Sequence, residues 1–318
     1  MYAPGATRTE STIIDTVSYG GGSFISTYQG PEYRISARYM LANNSSVKFS
    51  VQRMRQYIPM LSNTTAISPT ETWKLSDPYI KPQIGDQISI GYYKNFKSNT
   101  IETSVDAYYK AMNNFLDYKG GAELIMNPHI ETDVISTKGK AYGIEFLVKK
   151  PVGKLNGWIS YTYSRSMLRT TSNDPAETVN EGEAYPSNFD KPHSVNVITN
   201  YRFSKRISFS LNSTYSTGRP ITVPLQKFEV NGSQRLLYTE RNQYRIPDYF
   251  RIDIGFNFEG NHRIRKLAHS SWSLSVYNLT GRKNAYSVFF RYENGVVKGY
   301  QLSISGTPVP TLTYNFKF

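Results

Sequence analysis

The chain has 318 residues, no cysteine, a formal charge of +13 and 26 tyrosines within an aromatic content of 14%. That length holds one large or two ordinary domains, and the missing cysteines remove disulfides and thiolate metal sites. No run of about 18 apolar residues occurs, which argues against a transmembrane helix. A mean hydropathy of -0.49 leaves a membrane barrel open, because only alternate residues of each strand face lipid. The positive charge raises a nucleic-acid reading. The lysines and arginines are scattered along strand-like segments and turns, with no basic helix or RNA-binding signature, so no nucleic-acid partner is expected.

Taken in chain order, Met1-Tyr2-Ala3-Pro4-Gly5 lacks the basic start and apolar core of a signal peptide. Strand-like alternation then predicts segments near 32–43, 45–58 and 86–97. Ile101, Thr103, Val105, Ala107 and Tyr109 share one face, opposite Glu102, Ser104, Asp106 and Lys110. Segments near 138–150 and 156–168 follow, then Val195, Val197, Thr199, Tyr201 and Phe203 against Ser194, Asn196, Asn200 and Arg202. After 206–217 comes the clearest case: Phe250, Ile252, Ile254, Phe256 and Phe258 on one face, Tyr249, Arg251, Asp253, Gly255 and Asn257 on the other. Segments 271–288 and 309–318 bring the expectation to about eleven strands, each long enough for a tilted membrane crossing.

The links alternate in length. Short ones fall at Asn43-Asn44, Ser98-Asn99, 152–156 and Ser204-Lys205; long ones near 59–85, 118–137, 169–191, 218–247 and 289–308; that at 259–270 is intermediate. One end of the sheet is trimmed and the other elaborated, as periplasmic turns and extracellular loops are. A secreted β-sandwich has no reason to segregate its links in this way. The last strand carries Leu312, Tyr314, Phe316 and Phe318 on one face, with Thr311, Thr313, Asn315 and Lys317 between them. With that strand ending at the periplasm, an odd count starts the first strand from outside. The expectation is therefore a barrel portion, complete at its C-terminus and not at its N-terminus.

Several segments resemble the C-terminal half of the β-barrel of TonB-dependent outer-membrane receptors, of the type abundant in Bacteroidota. They are Tyr142-Gly143-Ile144-Glu145-Phe146, Gly153 to Ser164, Phe189-Asp190-Lys191-Pro192-His193, Thr217-Gly218-Arg219-Pro220, Val276 to Asn284, and Gly299-Tyr300-Gln301-Leu302 before the terminal strand. The resemblance implies an antiparallel transmembrane barrel of about 22 strands in the parent, an N-terminal plug and import energised by the TonB complex. It also implies that Leu312, Tyr314, Phe316 and Phe318 serve as an assembly signal for the barrel-assembly machinery. Residues 1–318 read as one partial barrel domain without plug or TonB-contacting box, so the TonB complex would be reached only through a plug outside it. Outer-membrane lipid and lipopolysaccharide are the expected surroundings. A porin-like or adhesin barrel, and an outer-membrane enzyme with its site in the loops, are the alternatives.

No chemical motif points to catalysis, a metal or a cofactor. His129, His193, His262 and His269 stand apart without ligand spacing. Ser45-Ser46-Val47-Lys48 fits the acylating S-x-x-K pattern, but it opens a strand and lacks its partner motifs. Asp174, Glu177, Glu181 and Glu183 read as a solvated loop, and Arg251/Asp253 with Glu102/Asp106/Lys110 as a charge ladder inside the barrel. Trp158, Trp272, Tyr161, Tyr163, Tyr277 and Tyr314 read as an interfacial girdle. Trp73, Tyr79, Tyr185, Tyr238 and Tyr244, in the long loops, are the candidate ligand contacts.

Overall fold

Period-2 patterning needs a continuous ladder of strands to be satisfied, and the computed structural model contains one. It describes residues 20–61, 72–119, 122, 133–172, 174–230, 233–260, 269–293 and 296–317. Eleven strands pair in sequence order, every neighbour antiparallel. They are β1 (Tyr33–Ala42), β2 (Ser45–Gln56), β3 (Gln83–Phe96), β4 (Ile101–Tyr118), β5 (Val134–Lys150), β6 (Leu155–Thr170), β7 (His193–Arg202), β8 (Ile207–Ser216), β9 (Tyr249–Glu259), β10 (His269–Tyr277) and β11 (Val309–Lys317). Among the described residues, β1 and β11 each have a partner on one side only.

The register carries the alternation across the sheet. Tyr39, Val47, Tyr92, Val105, Phe146, Tyr161, Val195, Tyr215 and Phe250 form one row through nine strands. The neighbouring row, one residue along, is Arg38, Lys48, Gly91, Asp106, Glu145, Thr162, Ser194, Ser216 and Tyr249. The apolar face stays uncovered: Ile90 is 55% exposed, Val148 50% and Leu312 65%. An uncovered apolar surface of this extent belongs against lipid rather than water.

Polar side chains of the inner face pair with one another. Tyr93 donates to Asp106 at 2.5 Å, Ser50 and Ser89 meet at 2.6 Å, and Lys149 pairs with Glu102 at 3.1 Å. Arg251 pairs with Asp253 at 3.0 Å and donates to the Tyr277 hydroxyl. Polar rows of this kind suit an aqueous lumen.

The short links are 43–44, 97–100, 151–154 and 203–206, all at one rim; the long ones, at the other, are 57–82, 119–133, 171–192, 217–248 and 278–308. Three expectations are corrected. The segment 271–288 is not one strand: β10 ends at Tyr277, where Asn278 turns the chain with φ of 52°. Hairpins stand inside two long links, Pro224–Val230 with Ser233–Tyr238 and Ser287–Glu293 with Val296–Leu302. Trp158 and Tyr277 lie on the polar face, in register with Lys149 and Val309 respectively, and are not part of a lipid-facing girdle. Trp272 and Tyr314 do meet on the lipid face, their rings tilted and the centroids 4.6 Å apart.

A charge on the apolar face should cost about 2–4 kcal/mol near the bilayer midplane, against little on the lumen face. Ile144→Arg should therefore lower the fraction of heat-modifiable, folded barrel on a cold gel, while Glu145→Gln on the same strand should leave it near wild type.

Candidate ligand site

The buried apolar residues lie at the rim of long loops. Ile135, Leu168, Val179 and Tyr185 form one cluster, and Ile80, Tyr118 and Val134 another. Leu168 shares the inner face of β6 with Ser166 and Ser164, so the 171–192 link folds back across the barrel mouth instead of standing clear of it.

Two buried carboxylates hold the loops there. Asp117, at the end of β4, accepts from the Tyr185 hydroxyl at 2.5 Å and from Arg241 at 2.9 Å. Arg241 also donates to the Tyr118 carbonyl at 2.8 Å, and its backbone N–H binds the Asn180 side chain at 2.7 Å. Asp190 is contacted by Arg245, by Arg165 at 3.2 Å and by the Ser166 N–H at 2.7 Å. Asn242 reaches the Pro186 carbonyl and the Asn188 side chain, both at 2.8 Å. These contacts join the 171–192 and 217–248 links into one body. Burial, with the Asp117 charge beside it, pushes the Tyr185 phenol far above its ordinary value, so it stays a hydrogen-bond donor at physiological pH.

Gly218 is needed where the second loop leaves β8. A Cβ there would meet the Ile246 carbonyl oxygen at 1.7 Å. Its N–H donates to Asp248 at 2.8 Å, and Asp248 also accepts from Tyr215 at 2.6 Å. These two bonds hold the Asp248 carboxyl below its usual value, so the turn is anchored at neutral pH. The close packing sets Arg219 between two cavities on the lumen side. One, of about 320 Å³, includes Tyr249, Arg251, Tyr277 and Tyr286; the other, of about 610 Å³, includes Tyr118, Lys119, Tyr238 and Arg241.

The five aromatic candidates separate accordingly. Tyr238 is half exposed and lines the larger cavity. Tyr244 is equally exposed and pairs with Ile221 across a short ladder. Trp73 is 63% exposed and sits apart, paired with Met60. Tyr79 is half-buried, its N–H bound to Asp77. Tyr185 is 1% exposed, with ring and hydroxyl both taken up by the protein. Leu312, Tyr314 and Phe316 face outward on β11, while Phe318 lies outside the described residues, as do His129 and His262. Asp117, Arg219 and Arg241 carried no signal in the sequence beyond Thr217-Gly218-Arg219-Pro220, because their partners are far away along the chain.

A lipid-facing antiparallel wall with a polar inner surface, trimmed at one rim and closed over by anchored loops at the other, defines an outer-membrane β-barrel. The TonB-dependent receptor-like β-barrel family matches residues 6–279, and the chain belongs to that family. Among solved structures it is similar to the siderophore receptor PiuA from Acinetobacter baumannii, at 15% identity over 90% of this chain and 36% of that one, with a TM-score of 0.58. The ferripyoverdine receptor of the outer membrane of Pseudomonas aeruginosa follows at 14% identity, 90% and 32% coverage and a TM-score of 0.53. The ferric-catecholate import receptor Fiu from E. coli K12 gives 16% identity, 90% and 34% coverage and a TM-score of 0.53. The chain thus spans about a third of the length of these receptors. No curated protein matches it.

Removing one partner of a buried ion pair costs about 3–5 kcal/mol, more than the pair itself contributes. Arg241→Ala should speed amide hydrogen exchange at 179–188 and leave β7 and β8 protected. The double replacement Asp117→Leu with Arg241→Leu should lose less than the single one.

Proposed function

We propose that this chain is barrel wall and ligand mouth of an outer-membrane receptor that imports a ligand such as a siderophore or glycan, driven by TonB through a plug outside it. The observation that carries the reading is the anchored loop body, which holds cavities over a polar lumen. The structurally similar siderophore, ferripyoverdine and ferric-catecholate receptors support it. The chain would act by capture and passage and not as an enzyme, with Tyr238 as the loop aromatic best placed to touch ligand. Because β1 and β11 run in the same direction, antiparallel closure of the barrel takes an odd number of further strands. Leu312, Tyr314 and Phe316 would present the outward strand face that the barrel-assembly machinery reads, with Phe318 as part of the same signal.

The outer leaflet would supply a second partner. Just beyond Tyr142 on the lipid face stand Lys140 and Lys138, both exposed, and Arg169 lies directly opposite Lys138. Like charges across a ladder repel, and lipopolysaccharide phosphates at that height would neutralise them. Lys138→Glu with Lys140→Glu should lower the melting temperature in lipopolysaccharide-containing micelles and raise it in detergent alone, where the repulsion from Arg169 is removed.

Deleting the gene should abolish growth on one ligand of a panel of ferric siderophores under iron limitation, or of glycans as carbon source. Deleting tonB should do the same. Ligand-dependent growth that survives loss of TonB would contradict energised import and leave a passive pore.

A further inference from the structure

The cations around the mouth are almost all spoken for. Arg241 is held by Asp117, Arg245 and Arg165 by Asp190, and Arg251 by Asp253. Arg219 differs. It borders both lumen-side cavities, its Nε is buried, and that Nε has no hydrogen-bond partner. Its backbone is fixed by Gly218 and by the Ile246 N–H, which donates to the Arg219 carbonyl at 3.1 Å. Among the described residues lining either cavity there is no aspartate or glutamate. Burial alone lowers the affinity of this guanidinium for its proton, the response of a cation with no carboxylate beside it. A half-buried cation without a counter-charge is a standing cost that an incoming anion removes.

We infer that Arg219 anchors an oxyanion-binding site in the mouth, for a small ligand bearing a carboxylate or similar oxyanion on an aromatic or apolar body. A guanidinium offers two parallel N–H donors that match a carboxylate edge, and a planar face that stacks on rings. Tyr249, Tyr277 and Tyr286 on one side, and Tyr238 and Phe290 on the other, supply the surface for the ligand body. The inference rests on the receptor reading and narrows its ligand class.

The test uses phenylglyoxal, which modifies accessible arginines, on the receptor expressed from its native gene and purified in detergent. Peptide mass spectrometry reads Arg219, with exposed Arg169 as internal reference. Saturating sodium benzoate at constant ionic strength should slow labelling of Arg219 by about tenfold, the protection expected well above the dissociation constant. Arg169 should be unaffected, and neutral benzamide should protect neither. Equal protection by benzoate and benzamide, protection by neither, or an Arg219 that never labels would each overturn the site. Growth on the ligand panel separates this from the receptor reading. Intact TonB-dependent growth without protection removes only the oxyanion site; protection without a growth phenotype removes only the import role.

Discussion

Inside a bilayer no water is available to an unpaired backbone N–H or carbonyl, and that constraint organises everything else in this chain. A long antiparallel ladder meets it, and a ladder forces side chains to alternate between two faces. The row from Tyr39 to Phe250 and the adjacent row from Arg38 to Tyr249 are the two outcomes of one register. A slip of one residue would put Asp106 and Glu145 into lipid, so the apolar face fixes the pairing as firmly as the turns do.

With the barrel body spent on lipid outside and water inside, a conventional core has only one place to form. It forms at the rim of long links, where Ile135, Leu168, Val179 and Tyr185 pack under the folded-back loop. Asp117 and Asp190 then act as cross-links between loops distant in sequence, with arginines and backbone N–H groups supplying the partners. Such buried pairs add little net stability, but they specify one arrangement of the loops. The rigidity sets Tyr238 and Arg219 at the walls of the same cavity.

Period 2 survives in sequence, so the eleven strands and the alternation of short and long links were legible. Boundaries erred where a local turn broke the pattern, as at Asn278 after Tyr277. The loop hairpins went unread because Pro224–Val230 and Ser287–Glu293 alternate too weakly to stand out within long links. Tyr185 looks like any loop aromatic until its hydroxyl is seen on Asp117, 68 positions away. Arg241 meets that same carboxylate across 124 positions, and no spacing rule reaches so far. Trp158 reads as a girdle residue from its aromatic ring near a strand end, whereas its face is set by register with Lys149.

The central claim is that successive residues of one strand face lipid and lumen in turn. Spin labels placed singly at positions 143 to 148 of β5, in the barrel reconstituted into bilayers, test it directly. Collisions with oxygen should peak at 144, 146 and 148, and collisions with a water-soluble nickel chelate at 143, 145 and 147. Accessibility that lacks this period, or that favours the chelate at every position, would contradict the account.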